Sequence, residues 1–175
     1  MKIYLIRHLL TPYNKKGVLQ GSKDISIQTA DEKTLAEIEK QKALLSAVEF
    51  DHVFCSSLKR TKETAALYEF YSPEVDELIN ELDFGKYEGI SKEIFYNDLG
   101  AQWKEDPRGF VLGESMLEFE NRLLRFIDKY KSKKNLLAFA HGGVMRGLKA
   151  IHQDGNIKSM NTFKVDNNQL EILEF

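Results

Sequence analysis

The sequence predicts an α/β fold, a three-layer α/β/α sandwich whose sheet is mostly parallel and carries an antiparallel edge. Short apolar runs alternate along the chain with longer segments of helical periodicity, which is the pattern of strands joined by crossover helices. The last predicted elements form a hairpin, and this hairpin supplies the antiparallel edge. No linker, repeat or low-complexity segment divides the 175 residues, so we assign 1–175 to a single domain.

Local signals place the elements of the first half. Pro12, Gly17 and Gly21 interrupt the chain after the first strand and predict an irregular loop. Thr29 and Glu32 have the spacing of a capping box and predict the start of a helix. In order, the predicted elements are a strand at 2–6, a loop at 9–28, a helix over 29–48, a strand at 52–55 and a helix from Ser56 or Ser57 to about Tyr71.

The second half contains a long insertion before the strands resume. Residues 72–113 mix acidic, aromatic, glycine and proline residues, and we expect this lid segment to lie over the functional site. In order, the predicted elements are an irregular segment at 72–90, a helix at 91–99 capped by Ser91, a flap at 100–113, a helix from Glu114 to Tyr130, a strand at 136–140, a helix from Gly143 to about His152 and a hairpin of 161–165 with 169–174.

Composition narrows the class of protein. A formal net charge of −2 gives no bulk attraction to nucleic acid or to a membrane surface. Cys55 is the only cysteine, which excludes an internal disulfide and a four-cysteine zinc site. No apolar run reaches the roughly 20 residues of a membrane helix, and the chain opens on a strand rather than on a leader. We expect a cytoplasmic monomer or homodimer with no nucleic-acid or membrane partner.

Two apolar strands each end in a histidine. The first strand delivers Arg7-His8, and the strand at 136–140 delivers His141 followed by two glycines. If the two strands are parallel neighbours, both rings lie at the same carboxyl edge, where open α/β sheets bind ligands. The sequence therefore predicts a site at this edge, with an arginine beside the histidines to bind an anion.

Six blocks of sequence resemble, in order, those of the histidine phosphatase superfamily, the phosphoglycerate mutase-like proteins. They are Arg7 to Asn14, Gln20-Gly21 with Asp24, Ser56 to Ala65, Glu81 to Gly89, Gly113-Glu114-Ser115 and His141 to Val144. The resemblance spans the whole chain and is greatest to the phosphatase branch. It implies a hydrolase that acts on a small phosphorylated metabolite and leaves α-ribazole phosphate, sugar phosphates and phosphoglycerates open as substrates.

The resemblance also implies roles for individual residues. His8 would be the nucleophile that forms a phosphohistidine, and Glu81 the general acid and base, with Asp83 and Glu88 as rivals for that role. The catalytic set is His8, Glu81, Arg7, Arg60 and His141. The set implied to bind phosphate or substrate is Arg7, Asn14, Gln20, Gly21, Arg60, His141 and Gly142. An outer pocket could draw, in no particular order, on Lys23, Lys86, Tyr87, Lys92, Trp103 and Arg108.

Other residues are expected to stay outside the chemistry. Arg122 is assigned to the surface or to an ion pair. The chain has four histidines, but they are far apart and lack a His-x-x-x-His spacing, so we expect neither a metal nor another cofactor.

One departure from the family pattern keeps alternatives open. Leu9 and Leu10 stand where the family has Gly and Glu or Gln. A leucine after the first histidine could alter the backbone or narrow the phosphate pocket. The alternatives are a phosphotransferase of the phosphoglycerate mutase type and a catalytically weak module that only binds phosphorylated ligands.

Overall fold

Five strands form one sheet in the computed structural model, which describes residues 1–175. In chain order they are β1 (Lys2–Arg7), β2 (His52–Cys55), β3 (Glu74–Val75), β4 (Asn135–Ala140) and β5 (Leu170–Glu174). Their order in the sheet is β3-β2-β4-β1-β5. Only the β1–β5 pair is antiparallel, which confirms the predicted parallel sheet with an antiparallel edge.

Helices cover both faces of the sheet. They are α1 (Pro12–Lys15), α2 (Glu32–Leu45), α3 (Lys59–Leu67), α4 (Lys92–Glu105), α5 (Met116–Tyr130) and α6 (Gly142–Asp154). Alternate residues of β1 divide the core, because successive side chains of a strand point to opposite faces. Tyr4 and Ile6 belong to the cluster that α2 and α3 bury, whereas Ile3 and Leu5 belong to the cluster of α5 and α6. The three predicted layers are therefore present.

The pairing of β1 with β4 brings the two histidines together. Their register sets Arg7 opposite Ala140, so His8 and His141 follow on adjacent strands at the same edge. The centres of the two imidazole rings lie 5.3 Å apart. The predicted juxtaposition is confirmed, and it depends on strand order and register alone.

The predicted start of α2 is wrong. Its N-cap is Asp31, whose side chain accepts a hydrogen bond from the Thr34 N–H, and the predicted box of Thr29 and Glu32 does not form. Two possible caps lie two residues apart in this sequence, and Asp is the stronger one.

The predicted cap of α3 is also wrong. The helix begins at Lys59 after Leu58, which offers no side-chain cap. The Ser56 hydroxyl instead forms a hydrogen bond with the ring of His141. Ser57 hydrogen-bonds Asn80 in the lid segment. The helix ends at Leu67, before the predicted end near Tyr71, since Glu69 takes a positive φ of 67° that stops it.

Two later predictions need correction. Residues 100–113 are not wholly irregular, because α4 runs through Glu105 with a kink at Gly100, where φ is 63°. Residues 161–165 are not a strand. The carbonyl of Val165 accepts a hydrogen bond from Arg7, so this segment contributes to the site and β5 alone pairs with β1 at this edge.

No helix in the structure is both long enough and apolar enough to span a membrane.

Candidate active site

A cavity opens at the carboxyl ends of the strands, beneath the lid segment. The predicted residues that line it are Arg7, His8, Asn14, Gln20, Gly21, Arg60, Glu81 and Gly142. His141 lies behind them and is fully buried. Phe84, Phe95 and Trp103 form an apolar wall from the lid segment. The end of β1 and the helix α3 thus supply Arg7 and Arg60, whereas the lid segment supplies Glu81 and encloses the cavity.

His8 is held as a neutral ring with one nitrogen facing the cavity. Its Nδ1 lies 2.7 Å from the carbonyl oxygen of Leu9 and donates to it. Burial, followed by the nearby charges of Arg7 and Arg60, lowers the pKa of His8 well below its usual value. The proton therefore sits on Nδ1, and the lone pair of Nε2 has no protein partner. This is the form in which a histidine can act as a nucleophile.

Leu9 does not enter the cavity. Its side chain is 2% exposed and packs in the cluster between the sheet and the helices α2 and α3. Its backbone does not take a positive φ, and its N–H donates to the hydroxyl of Thr64 at 3.0 Å. The leucine therefore fits an ordinary conformation and directs its side chain away from the phosphate pocket.

Arg7 reaches the cavity with an unsatisfied donor. One terminal nitrogen donates to the carbonyl of Val165 at 2.7 Å, whereas Nε is buried without a hydrogen-bond partner. Burial lowers the pKa of Arg7 to about 10, so the group remains charged at neutral pH. A buried donor without a partner is costly, and a phosphate oxygen in the cavity would satisfy it.

Arg60 is fully buried and fixed from three directions. Its terminal nitrogens donate to the carbonyls of Lys23 and Gly21 at 2.7 and 2.8 Å, and its Nε donates to His141 at 3.2 Å. Burial lowers the pKa of its guanidinium, but the group keeps its charge. Two of its five N–H groups remain for a ligand.

His141 orients Arg60 in this geometry. Because its Nδ1 accepts from Arg60, its Nε2 carries the proton and donates to the Ser56 hydroxyl at 2.7 Å. Burial, with the charge of Arg60 next, lowers the pKa of His141 well below its usual value. Both ring nitrogens already have partners, so the predicted role of His141 as a donor to phosphate stays a prediction.

Glu81 faces the cavity from the lid segment. One carboxylate oxygen accepts from the N–H of Gly143 in the first turn of α6 at 3.1 Å, and the other accepts from the N–H of Leu82 at 3.0 Å. A side chain at Gly143 would collide with this carboxylate, so the glycine permits the approach. Glu81 is the only carboxylate that lines the cavity.

The two rival carboxylates are engaged elsewhere. Asp83 accepts from the N–H of Gly85 at 2.8 Å, and Glu88 accepts from the N–H and hydroxyl of Ser22 at 2.6 and 3.1 Å. Neither residue lines the cavity. The geometry therefore favours Glu81 among the three candidates.

The helix α1 and the loop that follows it supply neutral groups. Asn14 accepts through Oδ1 from the N–H of Thr11 and from Asn167, which leaves its NH₂ group free to donate into the cavity. Gln20 accepts from the Thr11 hydroxyl at 2.7 Å. Gly21 has a φ of 53°, and a side chain there would collide with Glu88. These contacts fix the loop that surrounds the phosphate pocket.

Sequence reasoning missed one residue of the site and left another unranked. Arg146 lines the cavity together with Lys92, yet only Lys92 was among the outer-pocket candidates. Arg146 lies four residues after Gly142, which places both on one face of α6. This spacing was the feature of the sequence from which the position of Arg146 could have been predicted.

Comparison with known proteins identifies the family of the chain. The model of the histidine phosphatase superfamily (branch 1) matches residues 3–175. A probable phosphatase of Schizosaccharomyces pombe is 35% identical over 158 residues, which cover 85% of this chain and 72% of that protein. An adenosylcobalamin/alpha-ribazole phosphatase of Salmonella typhimurium is 30% identical over 83% of this chain and 76% of its own length.

A solved structure extends the similarity to the fold. The alpha-ribazole phosphatase of Shigella flexneri superposes with a TM-score of 0.79 and 26% sequence identity, and the match covers 99% of this chain and 90% of that one. The sequence matches thus cover about three quarters of these phosphatases, and the structural match covers nearly the whole of the solved chain.

Proposed function

This chain belongs to branch 1 of the histidine phosphatase superfamily, and we propose that it hydrolyses a small phosphorylated metabolite through a phosphohistidine on His8. Its relatives are named phosphatases, which makes it a hydrolase of phosphate esters. The observation that carries the finer proposal is the neutral His8 ring. Its Nδ1 is bonded to the carbonyl of Leu9, and its Nε2 faces a cavity that Arg7 and Arg60 also line.

The phosphate would bind between the two guanidinium groups. Arg7 offers a buried Nε without a partner, and Arg60 has two N–H groups left. Guanidinium donors suit phosphate oxygens because they bind them in pairs and stay charged. The NH₂ group of Asn14 adds a neutral donor. These groups would also stabilise the charge on the equatorial oxygens in the transition state.

In the first step, Nε2 of His8 would attack phosphorus in line with the leaving oxygen. The N–P bond forms as the P–O bond breaks, and Glu81 gives its proton to the departing alkoxide. This step requires that Glu81 carry the proton in the enzyme–substrate complex. The His8 ring keeps the proton on Nδ1, and the Leu9 carbonyl stabilises the positive charge that then develops.

In the second step, water would release the phosphate. Glu81 is now a carboxylate and takes a proton from the attacking water. The O–P bond forms as the N–P bond breaks, and the neutral His8 ring and inorganic phosphate are restored. One carboxylate therefore serves as acid and then as base.

The alternative of a module that only binds rested on Leu9 and Leu10, and neither residue lines the cavity. Since the Leu9 side chain packs away from the cavity, that residue leaves the phosphate pocket open, and this supports an enzyme. A mutase would pass the phosphoryl group to an acceptor rather than to water. A phosphatase releases inorganic phosphate and a mutase does not, so an assay for inorganic phosphate distinguishes the two.

The test is hydrolysis of p-nitrophenyl phosphate without metal and with EDTA, from mildly acidic to neutral pH. We expect turnover that His8→Ala abolishes, whereas His152→Ala, at an exposed and distant position, retains it. Rapid acid-free quenching should trap an acid-labile phosphate on His8. Turnover that survives in His8→Ala would overturn the proposed mechanism, and phosphate binding without turnover at any pH would favour the binding module.

The natural substrate would then be sought among phosphorylated metabolites. Relatives of this chain are named alpha-ribazole phosphatase and putative phosphoserine phosphatase. A screen should therefore begin with nucleoside-like, sugar and hydroxy-acid phosphates and rank them by kcat/KM.

A further inference from the structure

A second cavity adjoins the phosphate pocket, and the charged residues that line it are all cationic. It has a volume of about 500 Å³ and shares Lys92, Tyr96, Trp103 and Arg146 with the first cavity. Its charged residues are Lys92, Lys104, Arg146 and Lys164, and no aspartate or glutamate lines it. Such an imbalance at a concave surface attracts anions.

Two of these cations, Lys92 and Arg146, are half-buried and yet lack partners within the protein. The Nε of Arg146 is buried and makes no hydrogen bond, and no salt bridge involves Arg146 or Lys92. By contrast, the more exposed Lys164 pairs with Asp166 at 3.1 Å. Half-buried cations are usually paired, so the missing partner is expected to come from a ligand.

Mostly like charges surround the two unpaired groups. Burial lowers the pKa of Lys92 below its usual value, the charges of Arg7 and Arg146 lower it further, and only the carboxylate of Glu81 acts in the opposite direction. Arg146 in turn lies beside Arg7, whose pKa it lowers. The single phosphate expected at Arg7 and Arg60 offsets only part of this charge.

We propose that the substrate carries a second anionic group, a carboxylate or another phosphate, which Lys92 and Arg146 bind while the scissile phosphate lies at His8. The two cavities share these residues, so one small molecule can span both. This inference rests on the proposed function, since it describes the substrate of the same site. It makes Lys92 and Arg146 determinants of specificity rather than of the chemical step.

The experiment compares substrates that differ in one acidic group. 3-Phosphoglycerate differs from glycerol 3-phosphate by a carboxylate in place of a hydroxymethyl group, and fructose 1,6-bisphosphate differs from fructose 6-phosphate by a phosphate. We expect kcat/KM to favour the more acidic member of at least one pair by tenfold or more. The pair that shows the preference identifies the second group.

Variants then assign that preference to residues. Lys92→Gln and Arg146→Gln should each reduce the preference, taken as the ratio of the two kcat/KM values within a pair, at least fivefold. Lys40→Gln is the matched control, because Lys40 is exposed and contacts only Glu37. A preference that is absent in both pairs, or that survives unchanged in both variants, overturns the inference.

Binding separates this inference from the proposed function. In His8→Ala the same ligand pairs are measured by calorimetry, where the acidic member should bind at least tenfold more tightly and lose that advantage on adding Lys92→Gln. Equal binding of both members contradicts the second anion site even if the wild type is an active phosphatase. A clear binding difference supports it even if p-nitrophenyl phosphate is never hydrolysed.

Discussion

Arg122 and Glu114 form a two-bond ion pair behind the loop that carries Glu81. Nε and one terminal nitrogen of Arg122 donate to the Glu114 carboxylate at 3.0 and 2.8 Å. The same terminal nitrogen also lies 3.2 Å from the main-chain carbonyl of Glu81, and Glu114 accepts from the N–H of Asp83. The ion pair expected for Arg122 is confirmed, and it braces the backbone on both sides of the proposed general acid.

Glu81→Gln tests the acid itself. We expect kcat/KM for glycerol 3-phosphate, which reports the steps through phosphorylation of His8, to fall about 10²- to 10⁴-fold, the usual contribution of a general acid. The fall in kcat/KM for p-nitrophenyl phosphate should be far smaller, because p-nitrophenolate leaves without a proton. Steady-state kinetics on both substrates give the ratio of the two losses of activity. Glu88→Gln, in the rival carboxylate, should affect both substrates equally, and a larger leaving-group effect there would transfer the role to Glu88.

Glu114→Gln tests the brace. Breaking the pair leaves a charged Arg122 that is largely buried, so unfolding free energy should fall by roughly 2–4 kcal/mol. A loosened loop should also slow glycerol 3-phosphate hydrolysis about tenfold more than p-nitrophenyl phosphate hydrolysis. A variant that is less stable but slows both substrates equally would show that the pair stabilises the fold without positioning Glu81.

Leu9→Gly restores the residue typical of the family. Loss of a buried leucine side chain should cost about 3–5 kcal/mol of unfolding free energy. Well below the melting temperature, kcat/KM should stay within about threefold of the wild type, because the side chain lies outside the cavity. Leu10→Gly is the control, since Leu10 is 42% exposed and should cost about 1 kcal/mol. An increase of tenfold or more in activity for Leu9→Gly would show that Leu9 obstructs the site.

The positions of the two histidines could be predicted because they depend on few structural features. Apolar runs that end in His8 and His141 need only parallel pairing to bring the rings together, and that pairing is what the alternation of strands and helices predicts. The backbone partner of the His8 ring also follows from simple chemistry, since a neutral ring needs an acceptor for its second nitrogen.

Other features depend on contacts that the sequence does not encode locally. The segment 161–165 has a strand-like pattern, but its Val165 carbonyl is taken by Arg7. Ser56 has the composition of a helix cap, but its hydroxyl binds His141. In both cases a polar residue that is distant in sequence takes the hydrogen bond that the local structure would otherwise use. No pattern within the local segment predicts such a contact.

Burial of His8 should make stability depend on pH below about 6.5. Its pKa is lowered in the folded state, so the unfolded chain takes up a proton in a range where the folded chain does not. Stability from this ring is therefore fully present above the unfolded pKa and is lost as pH falls below it. If the folded ring stays neutral at pH 5, the loss from pH 7 to 5 is about 2 kcal/mol.

Urea unfolding of the wild type and His8→Gln at pH 7 and 5 measures the contribution of His8 to the pH dependence of the unfolding free energy. The variant should lose about 2 kcal/mol less than the wild type over that interval, because its side chain binds no proton in either state. Leu10→Gly removes no ionisable group and should keep the wild-type difference. An equal loss in His8→Gln and the wild type would mean that His8 takes up its proton as readily in the folded site as in the unfolded chain, which would contradict the neutral nucleophile on which the proposed mechanism depends.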